Sequence, residues 1–246
     1  MRNIWGMTDV GLLRRENQDA YAVRTSEDTG FTVCVVCDGM GGPGGGKLAG
    51  TLAVDTFLTT CLANLRRDMD WGRVQEVTAF AVAAANTAVY ERSCSGGDGL
   101  RGMGTTLVSA VLRDGEALLD NVGDSRAYLI RDGGITRITK DHSVVERLVE
   151  QGNITEEEAR VHPHRNLITR ALGPDPEASS DSYRVSMKEG DYLLLCTDGL
   201  TGTVTDQELV REVLRGVENN QCLDRLLKLA KKRGAPDNVT VVLLQQ

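Results

Sequence analysis

The order of apolar and polar positions changes period several times along this 246-residue chain, and each change marks an element. Residues 4–7, 20–24 and 31–37 read as short strands, the last apolar on both faces. After the glycine-rich residues 39–46, a helix is predicted over 47–64. A second, over 72–92, sets Val74, Val77, Ala81, Ala84 and Ala88 on one face at helical spacing. Composition marks 93–99 as a loop. From Gly104 the period falls to two. Residues 105–112, 116–122, 126–130 and 135–139 are strands broken by Asp114-Gly115, Gly123-Asp124 and Asp132-Gly133, the pattern of antiparallel hairpins. Residues 141–181 form a helical excursion of mixed charge that suits a surface subdomain. It holds one helix over 143–152 and a shorter one opening at the capping box Thr155 to Glu158. Strands resume at 183–185 and 191–196. Thr205 and Glu208 box the start of a helix to about residue 215, and another runs from about 221 to the Lys231-Lys232-Arg233-Gly234 stop. Residues 239–244 are the last strand. Strands at both ends, helices between them and no linker predict one α+β unit over 1–246.

Two of the apolar runs end in Asp-Gly, at Asp38-Gly39 and Asp198-Gly199. A carboxylate at the tip of a buried strand is held by rigid backbone, beside a glycine that permits a sharp turn. Its charge is costly there unless a cation neutralises it. Asp114 and Asp132 stand in plain hairpin turns and need no such account. Asp19, Asp124 and Asp237 occupy similarly marked places, and Arg14 adds a permanent cation with geometry for phosphate or carboxylate. Several carboxylates with few histidines point to an all-oxygen site for hard divalent ions, and with one arginine they suit a two-metal hydrolase.

Composition narrows the picture further. A net charge of −7 argues against nucleic acid as a partner. Aromatics make up only 4%, so the core rests on aliphatic residues. The N-terminus lacks a signal-peptide pattern, and no apolar run reaches the roughly 20 residues that span a bilayer, so a cytoplasmic protein without membrane attachment is expected. Cys34 and Cys37 share a C-x-x-C spacing, but residues three apart on a strand face opposite ways. Lys47 is followed by Leu48, which removes the glycine-rich stretch from the nucleotide-binding loops. No G-x-S-x-G elbow is present. His142, His162 and His164 all fall in the excursion, where the plain reading is surface or capping residues.

Seven motifs in order then resemble one family: residues 8–19 ending Glu16-Asn17-Gln18-Asp19, Val36 to Gly42, Met103 to Thr106, Asn121 to Arg126, Leu167 to Gly173, Leu195 to Leu200 and Ala235 to Thr240. The chain resembles the metal-dependent protein phosphatases (PPM), the type 2C serine/threonine phosphatases, in their compact bacterial form. The resemblance implies an α-β-β-α sandwich: two packed antiparallel sheets flanked by helices, with the excursion 141–181 as a flap over the cleft. It implies Mn²⁺ or Mg²⁺ as cofactor, two ions bound tightly and a third more weakly. Asp38 would bridge two ions, with the Gly39 carbonyl a ligand to one. Asp198 and Asp237 would serve the other, Asp19 would act through water, and Asp124 would join Asp198 at the third. Asp38, Asp198 and Arg14 form the implied catalytic set, with Arg14 gripping the substrate phosphate and a water between the ions as nucleophile. Asn238 would orient a neighbouring ligand.

Departures from the family pattern are equally specific. Met40 stands where many eukaryotic members carry a histidine proposed as general acid. Pro43 and Lys47 replace a histidine and an acidic residue frequent in bacterial relatives, which implies shifted loop geometry with activity retained. The implied partners are phosphorylated protein substrates and a serine/threonine kinase, and a monomer is expected. The alternatives are a non-catalytic phosphoprotein-binding regulatory module and a small-metabolite phosphatase.

Overall fold

A computed structural model of the protein describes residues 3–42, 44–97, 99–216 and 221–246. In chain order its first elements are β1 (Asn3–Asp9), β2 (Asp19–Thr25), β3 (Thr32–Met40), α1 (Gly45–Asn64) and α2 (Trp71–Ser95). β4 (Gly104–Thr105), β5 (Leu107–Arg113), β6 (Glu116–Val122), β7 (Arg126–Arg131) and β8 (Gly134–Arg137) follow. The excursion carries α3 (Val144–Glu150) and α4 (Glu156–Val161) and returns through β9 (Asp181–Ser186). Last come β10 (Tyr192–Cys196), α5 (Asp198–Thr201), α6 (Asp206–Leu214), α7 (Gln221–Lys232) and β11 (Val239–Gln245).

Two sheets result, in strand orders β1-β11-β10-β7-β8 and β2-β3-β5-β6-β9, with β4 pairing the far end of β3. Every paired neighbour is antiparallel. The alternation along β3 explains the layers. Val33, Val35 and Cys37 face α1 and α2, in a core with Phe57, Ala81 and Val89. Cys34 and Val36 face the other sheet, in a core with Leu119, Leu195 and Val242. A third core sets Leu194, Val241 and Leu243 against Leu209, Leu223 and Leu226 of α6 and α7. Three apolar interfaces between four layers make this an α-β-β-α sandwich.

The structure corrects several details of the pattern. The helix predicted from residue 72 buries Thr78, Val82, Ala85, Asn86 and Val89 with Val74 and Ala81, so its inner face is rotated from the all-apolar one. Asn86 is buried because it serves the excursion: its Nδ2 donates to the Asp175 and Pro176 carbonyls and its Oδ1 accepts from the Gly173 N–H. The strand predicted over 105–112 is interrupted at Thr106. The predicted loop 93–99 begins later, because α2 continues to Ser95, and Asp98 within it lies outside the described residues.

The two Asp-Gly pairs are not turns. β3 runs through Asp38 and Gly39 to Met40, where it pairs with Gly104 and Thr105. Asp198 instead opens α5 directly after β10. Each glycine is required by a close approach: a Cβ at Gly39 would lie 2.0 Å from the Gly46 carbonyl oxygen, and one at Gly199 would lie 1.8 Å from that of Asn238. Asp114 and Asp132 do turn, with φ of 51° and 52° before Gly115 and Gly133, which fits tight hairpin turns.

Candidate metal centre

The open edge between the two sheets gathers carboxylates from both. Asp19 begins β2 and stands opposite Asp38 of β3 in the ladder register. Asp19 Oδ2 accepts from the hydroxyls of Thr197 at 2.9 Å and Thr240 at 2.7 Å, both contributed by the other sheet's side of the cleft. Thr240 Oγ1 lies 2.7 Å from Thr8 Oγ1, which in turn accepts from Asn17. One oxygen of Asp19 is thereby fixed across the sheet interface, while Oδ1 is buried without a hydrogen-bond partner.

Asp38 is held by its backbone. Its N–H donates to Thr106 Oγ1, and its carbonyl accepts from the Thr106 N–H and the Thr105 hydroxyl, each at 2.9 Å. Thr106 Oγ1 also lies 2.7 Å from Ser125 Oγ, which ties Asp38 to the turn carrying Asp124. The break in the predicted 105–112 strand therefore has a purpose, since it turns the Thr106 hydroxyl to this junction. Gly39 N–H donates to the Gln18 carbonyl, so the β3 backbone passes close to the Asp19 strand.

Asp198 follows Thr197, and its Oδ1 is also buried without a partner. Its side chain reaches that of Asp38. Asp237 accepts from the Asn238 N–H at 2.8 Å and from Arg14 Nη2 at 2.7 Å. Asn238 pins the loop that carries Arg14: its Oδ1 accepts from the Gln18 N–H, and its Nδ2 donates to the Val10 and Glu16 carbonyls. Met40 is half-buried beyond Gly39, and Lys47 is exposed in the first turn of α1. The expectation for Pro43 lies outside the described residues.

Charge is the organising problem of this edge. Burial, then Asp19, Asp198, Asp124 and Asp237, push the Asp38 carboxyl well above its ordinary range. Burial and Asp198 do the same to Asp124, and burial with Asp237 raises Asp198. Burial lifts Asp19 to about 7 against the two threonine hydroxyls that favour its charge. Arg14, itself raised by its bond to Asp237, stands at one side. Arg126 is nearby, and although burial opposes its charge, its bidentate pairing with Asp141 at 2.6 and 3.0 Å holds it protonated. It is spent on Asp141.

As they lie, no three Asp, Glu, His or Cys side chains among the described residues already enclose an ion. The donors themselves fit hard divalent cations well. They are carboxylates and backbone carbonyls, two of their oxygens are buried and unpartnered, and their mutual repulsion is what a cation would relieve.

The motif residues therefore come together, and the structure adds partners that carried no assigned role. Thr106, Thr197 and Thr240 lie inside the quoted motifs, and their position next to the aspartates was the available signal. His142 departs from the surface reading, being buried. Its Nδ1 accepts from the Gly123 N–H at 3.1 Å, and its Nε2 lies 3.2 Å from Asp181 Oδ2, while Arg170 holds Asp181 Oδ1 at 2.7 Å. Both ends of the excursion are thus clasped to the Asp124 turn.

Comparison with known proteins agrees with this geometry. Residues 14–235 match the family model for protein phosphatase 2C. The serine/threonine phosphatase stp of Listeria monocytogenes is 34% identical over 97% of this chain and 94% of that protein. The crystal structure of phosphatase Stp1 from Staphylococcus aureus superposes with a TM-score of 0.92 at 34% identity, covering 100% of this chain and 95% of that one. The catalytic domain of the phosphatase PstP, solved with two manganese ions, gives 0.83 at 35% identity over 99% and 97%. The chain belongs to the protein phosphatase 2C family of metal-dependent serine/threonine protein phosphatases. Among the described residues no helix is long and apolar enough to cross a membrane.

Proposed function

We propose that this protein releases phosphate from phosphoserine and phosphothreonine of protein substrates, opposing a serine/threonine kinase, at the edge built by Asp19, Asp38, Asp198 and Asp237. The observation that carries this reading is the packing of these carboxylates, two of their oxygens buried and unpartnered, beside the Arg14 guanidinium. Asp38, the Gly39 carbonyl, Asp198 and Asp237 would hold two Mn²⁺ or Mg²⁺ ions, with Asp19 aiding through water and Asp124 with Asp198 serving a third, weaker one. When bound, such ions acidify water for attack and offset charge on the phosphoryl oxygens.

The chain's own residues set the stage. Thr197 and Thr240 fix the orientation of Asp19, and the Thr105–Thr106 backbone and hydroxyls fix Asp38. Arg14 is released once Asp237 is otherwise neutralised, and its fork suits two phosphoryl oxygens. Met40 has no proton to give, so the proton for the leaving serine or threonine oxygen has to come from another group in the cleft. The excursion 141–181 serves as a flap beside the bound substrate.

Chelation should abolish hydrolysis of a phosphothreonine peptide and of p-nitrophenyl phosphate, with Mn²⁺ restoring both. Asp38→Asn and Asp198→Asn should each lower kcat/KM by about a hundredfold or more, or some 2.7 kcal/mol of barrier. Their metal-free forms should melt at a higher temperature than wild type, because one repelling charge is gone. Full activity after chelation, or variants with unchanged turnover, would refute the reading. So would phosphopeptide binding with no phosphate release under saturating Mn²⁺.

A further inference from the structure

Among the described residues each sheet has two outer strands, β1 and β8 in one, β2 and β9 in the other. A strand at a sheet edge shows a row of unpaired backbone N–H and C=O groups, a template for pairing with another chain. Three of these four edges carry a guard. β8 has only four residues and ends in Arg137, β2 holds Asp19 and Arg24, and β9 holds Asp181 and Arg184. Short length and charge of this kind discourage a further strand.

β1 has neither. Its seven residues pair with β11 in unbroken register, from Asn3 opposite Gln245 to Asp9 opposite Val239, with no bulge. From Asn3 to Thr8 it contains no proline and no charged side chain. Its one charge, Asp9, stands at the end and is held by Lys231 at 2.7 Å. No described residue outside β11 hydrogen-bonds to its backbone. Trp5 and Met7 are half-buried on the face toward α6 and α7, and Ile4 is half-buried on the face toward the other sheet.

The strand is also complementary to itself. Two copies related by a two-fold axis pair antiparallel, and an axis through Gly6 gives the full overlap of Asn3–Asp9. Gly6 then faces Gly6 of the second copy, Trp5 faces Met7, Ile4 faces Thr8, and Asn3 faces Asp9. Thioether beside indole is a favourable contact. The Asn3 amide gives one N–H to Gln245 and has a second for the Asp9 carboxylate. Directly opposed residues share a face, so Trp5 and Met7 of both copies form one apolar strip across the joint. A second copy carries this match in its own sequence.

We propose that this protein forms a two-fold dimer through β1, joining two five-stranded sheets into one of ten strands, in place of the monomer expected from the sequence. The pairing adds about six to eight backbone hydrogen bonds. Because β1 leads from Asp9 into the loop that carries Arg14, the two clefts lie at opposite ends of the joined sheet.

Sedimentation equilibrium over about 1–200 µM protein tests the pairing. The mass should rise with concentration from that of one chain toward that of two. Amide hydrogen exchange in residues 3–9 should slow over the same range at alternate residues, those whose N–H groups point away from β11. Asn3 is exposed, so replacing it changes the charge that faces Asp9 of the second copy with little effect on the fold. Asn3→Asp sets like charges opposite each other and should weaken the dimer about twofold or more, since the contact occurs twice across the axis. Asn3→Lys should tighten it by a similar factor. A single-chain mass at the highest concentration would overturn the proposal and leave the edge to a foreign strand. So would a dimer whose β1 amides exchange as fast as the monomer's, because its joint would lie elsewhere. Equal dimer affinities for wild type and both Asn3 variants would overturn it as well, because the register centred on Gly6 requires the two variants to shift in opposite directions.

Discussion

At the scale of single residues, Gly39 and Gly199 differ from what their Asp-Gly context suggests. Asp-Gly between apolar runs is the strongest short hairpin signal, and at Asp114 and Asp132 it means what it says. At Asp38 and Asp198 the same dipeptide marks places where a second backbone presses against the glycine. The aspartates were legible because charge at the end of an apolar run is costly. The reason for their glycines was not, because no residue pattern shows that the Gly46 carbonyl of the following helix folds back onto Gly39, or that the Asn238 carbonyl arrives at Gly199 from another strand. Gly199→Ala should therefore destabilise the protein by roughly 2–3 kcal/mol or more, since the added methyl meets backbone that cannot give way. Urea denaturation checks this. A midpoint within error of wild type would show that α5 can shift without cost.

Elements were legible where local chemistry writes them. The capping boxes at Thr155 and Thr205 both form, and α4 and α6 begin where the sequence placed them. The inner face of α2 was not legible, because Asn86 is buried to satisfy residues 173–176, which no helical period encodes. The α6 cap makes a pH-dependent prediction. Arg233, then the Thr205 backbone N–H, pull the Glu208 carboxyl down to about 2. A depressed carboxylate stabilises the fold above its ordinary value of about 4.5 and loses that contribution as pH falls toward 2. Glu208→Gln should thus lower the melting temperature at pH 7, modestly because the pair is largely exposed, and the gap should close on acidification. Melting curves from pH 7 down to 2.5 would show this. A gap independent of pH would mean the glutamate acts only as a cap.

For the whole molecule, residue pattern alone predicts an α+β unit, and the resemblance supplies the layered sandwich. Sheet order could not be read from the pattern, because β11 inserts between β1 and β10 and its ladder joins Asn3 to Gln245. Periodicity reports what faces a core and says nothing of which strand lies alongside. The core between the sheets is the joint that holds the two sides of the cleft in register. Leu195, fully buried there, should cost about 2–5 kcal/mol when cut to alanine. The denaturant midpoint should fall as a single transition seen by both Trp5, on one sheet, and Trp71, packed against the other side. Separate transitions for the two tryptophans would show that the halves unfold independently.

The position of β11 also has a consequence for synthesis. Until residues 239–245 have left the ribosome, β1 and β10 lack the strand that joins them, and Asp19 lacks the Thr240 hydroxyl. The layer of β2, β3, β5, β6 and β9 with α1 and α2 is complete in the chain some fifty residues earlier and can fold first. A nascent chain therefore carries a half-built cleft, in which Asp19 has the Thr197 hydroxyl and not yet that of Thr240. Because Asp237 and Thr240 come with that strand, the carboxylate cluster is whole only once β11 has been made.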